Sequence, residues 1–289
     1  MWEPDPTWVR LAPPRAATAG VFRADGPDGP VVVKRLVRPP ADQVDAHDPE
    51  HWAYWRREVE VARSGAVDAT AGLRGPVTRE VEESEDGATV VTAWVPDAGL
   101  SVVERAAAIG RFAALGPGAY PWSSRPSLPD RLRTLEAAGG WPRLAETLVA
   151  GVADLLWRQR DRLLGELLAL PLVASHGDPI LANIRGRAED GTVVAVDWSA
   201  LGHQPVGSDL GLLLLASTEP LGRLVDAYRD GAEHAGRPVA QDDVVRGAAI
   251  MAAYTLLTRT SHACGTAGEE AAVREALRFE GMLEALVEV

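Results

Sequence analysis

ASHGDPILANIRGR, residues 174–187, places His176, Gly177, Asp178 and Asn183 between two short apolar runs that read as strands. An HxD followed five residues later by Asn is the layout of a phosphoryl-transfer loop. There the aspartate meets the proton of an attacking hydroxyl, and the asparagine offers a neutral oxygen to a divalent cation. By chance alone such a string appears in a chain of this length at roughly the per-cent level. Its context adds weight, because the strand TVVAV follows and runs into Asp197, whose carboxylate would project toward the same place. His176 and Gly177 read as shaping the loop. The insert Pro-Ile-Leu-Ala between Asp178 and Asn183 carries no charge. Ile180 stands where kinases often hold a cation for the transferring group, and Arg185, Arg187 and His203 are the candidates to replace it.

Such chemistry rests on positioning and charge neutralisation, so it also needs a cation on the phosphates and a carboxylate to steady that cation. Lys34 ends the apolar run VVVK and is the only lysine among 29 basic side chains. A coding bias toward arginine explains the depletion of lysine but not the survival of this one. Its predicted partner is Glu58 in WRREVEV, which borders the apolar stripe of a helix, whereas Glu60 points further away. Asp197 and Asn183 supply the hard oxygens that suit Mg²⁺.

Composition narrows the alternatives. A net charge of −12, spread over both halves, argues against a nucleic-acid partner; it would suit a cationic small substrate, although a generally acidic, solvated surface is the plainer reading. The single cysteine excludes an internal disulfide, and the scattered histidines show no zinc spacing. The N-terminus lacks a signal-peptide pattern and the longest apolar run is too short to span a bilayer, which points to a cytoplasmic protein without a membrane partner. Ser175, His176 and Asp178 are adjacent in sequence and there is no GxSxG elbow, so a hydrolytic triad is not indicated.

Strand signals dominate the first third: WVRLAP, AGVFRAD, a DGPDG turn and VVVKRL, then two strands within 74–95. Residues 50–64 read as a helix between them. Helical periodicity prevails after Pro96, over 101–115, 142–169, 207–218, 220–235, 240–262 and 268–287. The predicted fold is α+β and two-lobed, with a β-rich lobe over 1–95 for the nucleotide and a helical lobe over 96–289 for catalysis and substrate.

HGDPILANI followed by VVAVDWSALGHQPVGSDLG resembles the aminoglycoside phosphotransferase family, which shares the protein-kinase-like fold with choline and fructosamine kinases. VVVKRL, REVEVARS and the hinge-like TAWVPDAGLS extend the resemblance over about residues 21–215. It implies ATP or GTP with Mg²⁺, and a small-molecule hydroxyl as acceptor. It further implies that backbone groups of Ala93, Trp94 and Val95 meet the base, and that Asp209 braces the catalytic loop. An antibiotic, an amino sugar or a primary metabolite such as a sugar or choline-like alcohol would fit as acceptor, with the enzyme a monomer or homodimer. The stretch LAPPRAATAG departs from the family's glycine-rich phosphate loop, with Gly20 alone. A non-catalytic nucleotide-binding relative is the other reading, although such relatives commonly lose one of Lys34, Asp178, Asn183 and Asp197.

Overall fold

The run that carries Lys34 lies at the centre of a five-stranded antiparallel sheet of order β1-β2-β3-β6-β5. The computed structural model describes residues 2–15, 17–116 and 120–287. The strands are β1 (Val9–Ala12), β2 (Thr18–Gly26), β3 (Gly29–Val37), β5 (Thr78–Ser84) and β6 (Gly87–Ala93). Lys34 is opposite Val21 of β2 and Val90 of β6, flanked on both sides by β-branched residues suited to a pleated surface. A one-turn helix α1 (Val44–His47) and helix α2 (Arg57–Ser64) come between β3 and β5, with the two-residue strand β4 (Leu73–Arg74). Trp55 and Val59 pack with Leu36, Ala88 and Val90, so the apolar stripe of α2 closes one face of the sheet.

Helix α2 is shorter than predicted, because residues 50–56 turn instead of coiling. The physical reason is Arg57, whose guanidinium takes the carbonyls of Pro49, His51 and Trp52 that an earlier helix start would have used. The helix stops at Gly65, which adopts the left-handed conformation at φ 63°.

The remainder is mainly helical: α3 (Val102–Ala113), α4 (Ser127–Ala137), α5 (Ala150–Arg158), α6 (Arg160–Ala169), α7 (Ser208–Leu214), α8 (Leu221–His234), α9 (Gln241–Ala263), α10 (Glu269–Arg278) and α11 (Glu280–Val287). Ser101 and Glu104 form a capping box that starts α3. The predicted helix over 142–169 is instead a 3-10 turn (Pro142–Glu146) followed by α5 and α6, broken at Gln159. The last residues of α11 fill that break, with Gln159 donating to the Val287 carbonyl and Arg162 to that of Leu286. Similarly, the predicted 268–287 helix divides at Phe279. Helix α4 was not predicted, and its buried Leu128, Leu132 and Leu135 pack into the main core. Helix α9 is buried on nearly all sides, as a central helix should be.

Four short strands frame the opening motif. They are β7 (Leu172–Ser175), β8 (Ile184–Arg187), β9 (Val193–Ala195) and β10 (Gly202–Pro205). β7 pairs with β10, and β8 pairs with β9, which also takes β4 in parallel. Among the described residues, no helix is long and apolar enough to cross a membrane.

Helices α3 and α8 approach so closely that Gly110 and Gly231 have no room for a side chain. A Cβ at Gly110 would lie 1.9 Å from the Tyr228 carbonyl oxygen, and one at Gly231 would lie 2.1 Å from that of Ala107. Gly110→Ala is therefore expected to destabilise the fold by about 1–3 kcal/mol in urea denaturation. An unchanged midpoint would contradict this crossing.

Candidate active site

Lys34 is buried on β3, and its ammonium sits between two carboxylates. It contacts Glu58 Oε2 from α2 directly, and reaches Asp197 Oδ1 at 2.8 Å. Burial disfavours the ammonium, but the two carboxylates outweigh that cost and hold its pKa above the ordinary lysine value. Burial also disfavours charge on Asp197, yet Lys34 and a 2.8 Å hydrogen bond from the Ser199 hydroxyl hold its pKa down at about 2. Glu58 goes the other way, because burial raises its pKa despite Lys34.

The sign for stability follows from linkage. Asp197 titrates at 3.8 ordinarily and at about 2 when folded. It therefore contributes stability that is fully present above pH ~4 and lost as the pH falls toward ~2. The difference in melting temperature between wild type and Asp197→Asn should shrink over that window. A difference that grew on acidification would mean that Lys34 does not hold the carboxylate.

Asp197 is the only non-glycine among the described residues with positive φ, at 62°. Such strain concentrates where the surroundings over-determine the backbone. Here Val196 N–H donates to the Asn183 carbonyl at 2.8 Å, and its own carbonyl lies 3.0 Å from His176 Nε2. Asp178 N–H donates to His176 Nδ1 at 3.3 Å, so Nε2 carries the ring proton and donates to Val196. His176 is fully buried and packs on Trp198 with ring centroids 4.6 Å apart.

Beneath the loop, Asp209 near the start of α7 accepts from Ser175 Oγ at 2.7 Å, His176 N at 2.8 Å and Gly177 N at 3.1 Å. Burial raises its pKa, and these three donors oppose that rise. Gly177 adopts φ 83°, where a Cβ would lie 2.3 Å from the Ala200 carbonyl oxygen, so only glycine fits. Asn183 Nδ2 donates to the Asp178 carbonyl at 2.9 Å and to its carboxylate at 3.1 Å. The loop thus holds Asp178 from both ends.

Lys34, Glu58, Asn183 and Asp197 border one cleft of about 250 Å³, closed toward the hinge by Ala93, Trp94 and Val95. The hinge is less open to a ligand than its sequence suggests. Ala93 N–H donates to Val77 and Trp94 N–H to Pro30, which leaves the Val95 N–H without a backbone acceptor among the described residues. In the stretch that departs from a glycine-rich loop, the Arg15 and Thr18 amides each donate to the other residue's carbonyl, at 2.9 and 2.6 Å. Ala16 of that stretch lies outside the described residues. Gly20 serves packing, since a Cβ there would lie 2.7 Å from the Phe22 ring.

The donor set fits a divalent cation shared with a ligand. Asp197 Oδ1 takes both Lys34 and Ser199, which leaves Oδ2, and Asn183 has Oδ1 left over. These are hard oxygens beside the cleft, suited to Mg²⁺ whose remaining ligands come from phosphates and water. Among the described residues, no three His, Cys, Asp or Glu side chains form a metal cage.

Of the cations that could replace the one missing at Ile180, Arg187 is engaged by Glu104 at 2.7 Å. Arg185 lies against Trp94, 5.2 Å from the ring centroid, where both line the cleft. His203 is half-buried, which depresses its pKa and disfavours a charged ring. Two arginines escaped the sequence reading. Arg57 is fully buried and donates to five carbonyls, adding Trp122 and Ser199 to the three named above. Arg131 lies on α4 within Coulombic reach of Asp178. The leucines of α4, spaced four and three apart, were the signal that could have located it.

Residues 13–242 match the model of a family described as a phosphotransferase enzyme family. No curated protein matches the chain by sequence. Among solved structures, the chain is similar to a microcompartment-associated aminopropanol kinase (16% identity, TM-score 0.61, covering 98% of this chain and 92% of that one). It is also similar to a choline/ethanolamine kinase family protein from Mesorhizobium loti (18%, 0.58, 96% and 88%). A third is an aminoglycoside phosphotransferase from Alicyclobacillus acidocaldarius (17%, 0.58, 96% and 90%).

Proposed function

The chain belongs to the phosphotransferase enzyme family, and from that membership we propose that it moves the γ-phosphoryl group of ATP, with Mg²⁺, to a hydroxyl of a small molecule. The observation that carries this reading is the contact of Lys34 with both Glu58 and Asp197 in the cleft that Asn183 also borders. In this reading Lys34 holds the phosphates, and Glu58 keeps its ammonium in place. Asn183 and Asp197 would hold Mg²⁺, which when bound would neutralise negative charge developing on the phosphates. The base lies against Ala93, Trp94 and Val95, with the Val95 N–H as the free hinge donor. Residues 1–95 then serve the nucleotide, and residues 96–289 catalysis and the acceptor.

Asp178 receives the proton of the acceptor hydroxyl as the new O–P bond forms. The bond between the γ-phosphorus and its bridging oxygen breaks, and ADP leaves with that oxygen. Catalysis here is placement more than covalent chemistry. Accordingly, His176 and Asp209 act by fixing the loop from which Asp178 projects. The acceptors named for these solved neighbours differ in structure, and share a hydroxyl and an amino or quaternary ammonium group on a small molecule.

Thermal melting tests the first half of this reading. Mg-ATP at about 100 times its Kd should stabilise the fold by about 2.7 kcal/mol, seen as a shift of about 5–10 °C. No shift with Mg-ATP would overturn it. Turnover against a panel of hydroxyl compounds, followed by mass spectrometry for one added phosphoryl group, tests the second half.

A further inference from the structure

Arg185 is a cation in the cleft without a counterpart. It lies on β8, two residues after Asn183, and lines the cleft beside Trp94 and Val95. Arg187, on the same strand, pairs with Glu104, and the buried Arg57 donates to five carbonyls. Among the described residues no carboxylate pairs with Arg185, and its buried Nε has no acceptor. A half-buried cation left in that state is costly, and a ligand that meets it removes part of the cost.

Its position is nonetheless fixed. The guanidinium carbon lies over the Trp94 ring, 5.2 Å from the centroid, which the guanidinium carbon of Arg23 approaches to 4.9 Å. Ala98 N–H donates to the Arg185 carbonyl at 2.8 Å, which ties β8 to the segment after the hinge. Gly186 beside it runs so near the hinge that a Cβ would lie 2.2 Å from Val95 Cγ1. This end of the cleft is remote from Lys34. Lys34 is opposite Val90, and Trp94 follows four residues later, about 13 Å along the strand direction. The five-stranded sheet lines the same cleft with Val21, Val32 and Val90, so Arg185 adds charge to walls that are otherwise largely apolar.

Resting on the phosphotransferase reading above, we propose that Arg185 is a binding residue for the nucleobase. A guanidinium is planar, and with one face on Trp94 its other face is free to stack on a heterocycle. The base is then held between Arg185, on the side of the helical lobe, and Val21 and Val32 of the sheet, with its edge at the Val95 N–H. Lys34 serves the phosphates at the other end. The arginine that the sequence offers to the transferring phosphoryl group thus serves the far end of the same nucleotide.

The test is calorimetric titration of AMP, ADP and Mg-ATP into wild type and Arg185→Leu, which keeps apolar bulk against Trp94 and removes the charge and the plane. The variant should bind all three more weakly by the same factor, about 3- to 30-fold, because they share the base and differ in phosphates. Arg185→Lys, which restores a cation, should recover part of that loss. A loss that grows from AMP to ATP would overturn the proposal and make Arg185 a phosphate ligand. A lysine variant as weak as the leucine one would overturn it in favour of packing alone. Unchanged affinities in Arg185→Leu would overturn it too, and would leave the kinase reading intact. If Arg185→Leu does not fold, Arg185→Gln replaces it, with the same pattern expected. Failure of all three nucleotides to bind wild type would overturn the kinase reading together with this one, so the two failures are told apart.

Discussion

Asp178→Asn is expected to lower kcat by about 10²- to 10⁴-fold while thermal stabilisation by Mg-ATP is retained. Asparagine keeps the volume of the side chain and can still accept from Asn183 Nδ2, now 3.1 Å from the carboxylate. The loop itself is built by Asp209, His176 and Gly177, whose hydrogen bonds do not use the Asp178 carboxylate. The substitution therefore removes a proton acceptor and leaves the scaffold standing. Single-turnover kinetics beside the nucleotide melt separates the outcomes. Activity within tenfold of wild type would place the base elsewhere, and loss of the Mg-ATP shift would make Asp178 part of the nucleotide site.

Lys34→Met should abolish turnover and also cost stability. It leaves Glu58 and Asp197 facing each other in the cleft without the ammonium between them. Removing one partner from a buried ionic cluster typically costs about 3–5 kcal/mol. The value here should be smaller, about 2–4 kcal/mol, because the Asp197 side chain is 40% exposed and water screens it. Adding Glu58→Leu removes one of the stranded charges. The double variant should therefore regain part of the stability and none of the activity in urea titrations and turnover assays. Equal stability of the single and double variants would show that Glu58 is not the group Lys34 steadies.

Much of the architecture is legible from alternation and spacing alone. VVVKRL reads as a strand with a cation at its end, and that strand is the middle of the sheet. HGDPILAN reads as a loop between strands, and it lies between β7 and β8. Other features depend on contacts that no local pattern encodes. Arg56 and Arg57 are neighbours of the same type, yet Arg56 reaches Glu83 at the surface while Arg57 is fully buried. Only the arrival of Trp122 and Ser199 from far along the chain separates them. The hinge shows the same limit, since pairing with Pro30 and Val77 decides which amides stay free. The breaks at Gln159 and Phe279 interrupt patterns that are helical on both sides, and the packing of α11 against the first settles it.

Arg57 precedes Glu58, and its five bonds join α2 to the turn before it, to Trp122 and to Ser199, two residues beyond Asp197. In protein kinases the corresponding glutamate helix is repositioned to switch activity on and off. A comparable swing here would break the bonds of a buried guanidinium to the Trp122 and Ser199 carbonyls, at a cost of two hydrogen bonds to a charged group. The bonds of Arg57 thereby oppose such a swing and favour the position in which Glu58 contacts Lys34.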